Sequence, residues 1–86
     1  MEHQLTAVRF RYRKVGDVAQ AKSFDFDTAS PPRKPGEIWT EEQGSHIWVC
    51  LAVAGIQDDI DQKLNDLRER ADGWLREKYP GIKIIE

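Results

Sequence analysis

The sequence predicts an α+β domain: a mostly antiparallel sheet of four to five strands in the order ββββαβ, with one long amphipathic helix on one face. Three patterns carry this reading. Residues 5–15 alternate between the two faces of a half-buried strand. Residues 46–54, "HIWVCLAVA", are apolar on both faces, as a strand in the middle of a covered sheet is. Ile56, Ile60, Leu64, Leu67, Ala71, Trp74, Leu75 and Tyr79 recur by threes and fours, the spacing of a single helix face.

The alternating stretch contains "VRFRYRK", which sends Arg9, Arg11 and Arg13 to one side and Phe10 and Tyr12 to the other. "KSFDFDT", residues 22–28, alternates too, with Phe24 and Phe26 on one face and Ser23, Asp25 and Asp27 on the opposite one. With "GDVAQ" as the hairpin loop, Arg9 faces Asp27, Arg11 faces Asp25 and Arg13 faces Ser23. A slip of one residue sets arginines against phenylalanines, so the pattern selects against it. Opposite charges across strands contribute about 0.2 to 1 kcal/mol per pair.

"SPPRKPGE" then excludes helix and central strand, because its prolines lack a donor and fix φ. It reads as a rigid surface connector, although Pro32 and Pro35 have the P-x-x-P spacing of groove ligands. A second hairpin follows, with a short strand at residues 37–41, a turn near residues 43–45 and the apolar strand at residues 46–54. The helix is expected over residues 57–79. Asp58 is the expected N-cap, Asp59 and Asp61 favour the positive helix start, and Arg76 and Lys78 suit its end. Asp59 with Lys63, Asp66 with Arg70 and Asp72 with Arg76 are i,i+4 pairs. "YPG" stops the helix, and "IKIIE" forms a short last strand reached by a right-handed crossover.

Eighty-six residues make a single domain, 1–86, near the lower limit for unaided folding. No apolar run approaches the length of a membrane span, and the start lacks the pattern of a secretory signal. One cysteine, Cys50, makes no internal disulfide, which suits a reducing, cytoplasmic setting. The net charge of -2 is unevenly placed. Residues 1–40 hold seven basic against five acidic side chains, and residues 41–86 hold six against ten. Such polarity steers a partner without identifying it.

No residue constellation points to catalysis, a cofactor or a metal. His46, Trp48 and Cys50 share a strand face, but four residues along a strand span about 13 Å, too far for two ligands of one ion. His3 lies near the start, and Cys50 reads as a small buried apolar residue. "DDID" at residues 58–61 is accounted for by helix capping and has no Gly-rich phosphate loop beside it. Nucleic-acid binding through Arg9, Arg11, Arg13 and Lys14 is the alternative. It is not favoured, because stacking rings and cations occupy opposite faces and the isoelectric point is about 5.7.

One helix covers one face of a sheet, whereas the strand holding Trp48 and Cys50 calls for two covered faces. The expectation is therefore a non-catalytic protein-binding domain of inhibitor or accessory type. It associates with itself or docks on a partner through the face opposite the helix, with Ile38, Trp39, Trp48 and Cys50 as the contact residues.

Overall fold

A computed structural model describes residues 5–29, 33–55 and 57–86. It is an α+β domain built from strands β1 (Leu5–Val15), β2 (Val18–Thr28), β3 (Ile38–Gln43) and β4 (His46–Ala54), helices α1 (Gln57–Asp61) and α2 (Leu64–Lys78), and strand β5 (Lys83–Ile85). The sheet order is β3-β4-β1-β2-β5. All neighbours are antiparallel except β2 and β5, which run parallel.

Strands β1 and β4 have the bounds their patterns predict, and they lie side by side inside the sheet. The first hairpin differs from expectation. Its loop is only Gly16 and Asp17, with Gly16 at φ +59, the positive value that a II′ turn requires at its first central position. Val18 to Gln20, expected in the loop, belong to β2. Arg9 consequently faces Asp25 rather than Asp27, and Arg13 faces Gln20 rather than Ser23. The shift at Arg9 is two residues, so each side chain keeps its face.

An irregularity between Phe10 and Tyr12 makes this possible. Phe10 faces Phe24 and Tyr12 faces Ala21, so Lys22 and Ser23 together oppose Arg11 as a β-bulge. The bulge brings two stretches whose alternation is out of phase, Ala19 and Ala21 against Phe24 and Phe26, onto one face.

The second hairpin turns through Gly44 and Ser45, with Gly44 at φ +61. Its first strand runs to Gln43, two residues past the expected end.

The expected single helix is interrupted. Gln62 and Lys63 form a turn between α1 and α2, in which the Lys63 amide donates to the Ile60 carbonyl at 2.8 Å. Asp58 falls in the first turn of α1 rather than at its N-cap, and Lys63, at the N-cap of α2, makes no side-chain capping bond. None of the three expected i,i+4 pairs closes as an ion pair among the described residues. The break separates Asp59 from Lys63, and Asp72 is engaged elsewhere.

The core lies between the helices and one sheet face. Val8, Phe10 and Tyr12 of β1, Ala19 of β2 and Ile47, Val49 and Leu51 of β4 pack against Ile60, Leu67, Ala71 and Leu75. Burying a large aliphatic side chain contributes about 1.5 to 3 kcal/mol, so this layer supplies most of the fold's driving force. Lys78 Nζ donates to Thr40 Oγ1 at 2.6 Å, and the Tyr79 hydroxyl donates to the Glu42 carboxylate, so the end of α2 is pinned above β3. The other sheet face, the open face, carries no helix among the described residues.

Candidate functional site

The open face is built from alternate residues of four strands. Leu5, Ala7, Arg9, Arg11 and Arg13 of β1 lie between Gln20, Asp25 and Asp27 of β2 and His46, Trp48, Cys50 and Ala52 of β4. Trp39 and Glu41 of β3 flank the β4 residues, opposite Cys50 and Trp48. Three of the four expected contact residues, Trp39, Trp48 and Cys50, therefore share this face. Ile38 does not: it faces Leu51 and packs against the helix-side core. The reason is period two, which sends consecutive strand residues to opposite faces.

The centre of the open face is already closed to water by the chain itself. Ala7, Ala29 and Ala52 form a second small buried cluster with Leu5 and Trp39 packed against it, and Cys50 is 1% exposed. Ala29 donates its amide to the Leu5 carbonyl at 3.1 Å, so the chain leaving β2 stays on the sheet and covers one corner. Small side chains leave little apolar surface here, and arginines cover much of the remainder. The Arg33 guanidinium lies 3.9 Å from the Trp39 ring centroid, and that of Arg9 lies 5.7 Å from Trp48. Both distances allow cation–π attraction, worth about 0.5 to 1 kcal/mol at such sites.

Arg9 is the hub of this surface. Its guanidinium nitrogens lie 3.6 Å from Asp25, 3.7 Å from Asp27 and 3.8 Å from Glu41, all too long for hydrogen bonds. One cation thus lies among three carboxylates without a close hydrogen bond to any of them. A depression of about 220 Å³ sits beside it, lined by Arg9, Arg33, Asp27, Trp39 and Glu41 with Ala7, Ala29 and Cys50 at its floor. Burial pushes the Cys50 thiol up to about 11, with Glu41 adding to the shift and Arg9 opposing it. A thiol so placed is protonated near neutral pH and is a poor nucleophile or metal ligand.

The four residues of the nucleic-acid alternative do not form one ladder. Arg9 is surrounded by acids, and the Nε atom of Arg11 is buried without a hydrogen-bond partner. Arg13 is exposed beside His46, while Lys14 lies on the helix side, 4.9 Å from the Tyr79 ring. His46 and Trp48 contact each other through their rings at 6.1 Å. No group of three or more His, Cys, Asp or Glu side chains among the described residues is arranged to hold a metal, and no helix among them is long and apolar enough to cross a membrane.

Arg33 and Glu41 belong to this site, and the part each plays beside a tryptophan does not follow from the sequence pattern. Arg33 follows a proline-rich stretch with no periodicity, and Glu41 gains its role only from being set opposite Trp48. No protein-family model matches the chain, and neither does a curated protein or a solved structure.

Proposed function

We propose that this chain is a small non-catalytic protein-binding domain, of inhibitor or accessory type, working through the open face. A second copy of the chain is its simplest partner. The observation that carries the reading is the pair of tryptophans on that face, Trp39 and Trp48, each overlaid by an arginine, with Glu41 set opposite Trp48. Tryptophan and arginine are the side chains that dominate interface energetics, since both offer large contact area with directional polar contacts. The binding surface is aromatic and cationic rather than a bare apolar sheet, because alanines and Cys50 occupy its centre.

Light scattering coupled to size exclusion tests the self-association. A dimer is expected at micromolar concentration, and Trp39→Ala or Trp48→Ala is expected to weaken it by at least about 30-fold, the effect of losing an interface anchor of about 2 kcal/mol. A monomeric mass across the whole concentration series overturns the homodimer and leaves a heterologous protein as the partner.

A further inference from the structure

Strand β5 covers only Val18, Ala19 and Gln20 of β2, so the rest of that edge, from Ala21 to Thr28, has no strand beside it among the described residues. We propose that the Phe24–Thr28 edge is a strand-addition site for an extended peptide that alternates basic and apolar side chains.

The backbone supplies the first argument. Ala29 donates its amide inward to the Leu5 carbonyl. Inward and outward residues alternate along an antiparallel strand, so the amides and carbonyls of Phe24, Phe26 and Thr28 point away from β1. Thr28 is already engaged, its amide donating to Asp27 Oδ1 at 2.8 Å. Phe24 and Phe26 keep outward hydrogen-bonding groups for an added strand. Folded proteins usually blunt such edges with lysine or a bulge. Lys22 and the bulge do so at one end of this edge, and beyond them two aromatic residues follow.

The side chains specify the occupant. Phe24 is 43% exposed and packs edge-on against Phe26 at 5.7 Å, so the helix side of the edge offers an aromatic shelf. On the other side Asp25 and Asp27, 57% and 64% exposed, share the single cation of Arg9 with Glu41. A strand laid along this edge therefore meets rings on one face and exposed, loosely held carboxylates on the other. The chain's own β1 answers the same two faces from the inner side, with Phe10 against Phe24 and Arg9 against Asp25. The outer partner has that same alternation.

The test uses the full chain and an acetylated, amidated decapeptide of alternating arginine and valine, with amide exchange followed by NMR. Binding is expected to slow exchange at Phe24 and Phe26 by about tenfold or more while leaving Asp25, already paired to β1, unchanged. The indole signals of Trp39 and Trp48 should stay in place, which separates this edge from the open face. The alternating glutamate–valine peptide and an arginine–valine peptide N-methylated at every residue should not bind. Phe24→Pro, which removes an outward donor that β1 does not use, should abolish binding. Phe24→Ser, which keeps the donor, should only weaken it and serves if the proline variant does not fold. Equal binding by the N-methylated or the acidic peptide overturns the proposal, as does unchanged exchange at saturating peptide. Protection of Phe24 and Phe26 that grows with protein concentration alone overturns it too, by giving the edge to a second copy.

Discussion

The Tyr12 hydroxyl, on the central strand, donates a 2.6 Å hydrogen bond to Asp72 Oδ1 on α2, joining residues sixty positions apart. It is a polar pin between sheet and helix, since the buried Tyr12 packs among Phe10, Ile47 and Leu75. A hydrogen bond to a charged partner contributes about 1.5 to 3 kcal/mol, so Tyr12→Phe is expected to lower stability by that order in denaturant unfolding. Burial, and then the bond to Asp72, hold the Tyr12 hydroxyl far above its ordinary value. A folded-state value above the unfolded one contributes stability that is complete below about pH 10 and is lost as pH rises further. The wild-type protein should therefore lose up to about 1.4 kcal/mol per pH unit above pH ~10 through this group, and Tyr12→Phe should lose less. Equal alkaline slopes in the two proteins would falsify the role given to this bond.

The contact between Tyr79 and Glu42 behaves with the opposite sign. The Tyr79 hydroxyl bond, followed by the charge of Lys78, holds the Glu42 carboxyl below the usual carboxylate range. Its contribution is present above the unfolded value and disappears as pH falls through the lowered one. Acidification is expected to free the end of α2 from β3, seen as lower amide protection factors at Lys78 and Tyr79, that is, exchange relative to the intrinsic rate at each pH. In Glu42→Gln the protection should already be lower at neutral pH and change little on acidification.

Cys50 is expected to be inert in the folded protein. It is 1% exposed and its thiol is pushed up to about 11, so a thiol reagent at pH 8 should label it only as fast as the chain opens. Cys50→Ala should retain partner binding and cost about 1 kcal/mol through lost packing. Rapid labelling of the native protein, or lost binding in a well-folded Cys50→Ala, contradicts the packing role.

The arginines of β1 are expected to bind nucleic acid weakly near physiological salt, because Arg9 is surrounded by Asp25, Asp27 and Glu41. A phosphate ladder behaves otherwise, since each neutralised phosphate on a single strand contributes a salt slope of about 0.7. The measurement is a titration of DNA and RNA at several salt concentrations, with wild type and the triple variant Arg9→Gln, Arg11→Gln, Arg13→Gln. Micromolar binding with a steep slope, lost in the triple variant, would restore the nucleic-acid alternative.

Local pattern alone determined the class of fold, the ends of β1 and β4, the burial of Cys50 and the sides taken by Arg9 and Phe10, because period and burial are written in consecutive residues. It also placed Trp39 and Trp48 on the face opposite the helix, though not Ile38, whose side follows from its pairing with Leu51. Tertiary structure decided the remainder. The opposite phases of Ala19–Ala21 and Phe24–Phe26 read locally as a loop and a strand, and only pairing with β1 turns them into one strand with a bulge. The spacing of Ile60 and Leu64 runs straight through the turn at Gln62 and Lys63, so periodicity cannot reveal that break. The order β3-β4-β1-β2-β5 and the gathering of Arg9, Arg33, Asp25, Asp27 and Glu41 join residues from four separate segments. Such contacts form when distant strands close on one another, and no local run of residues encodes them.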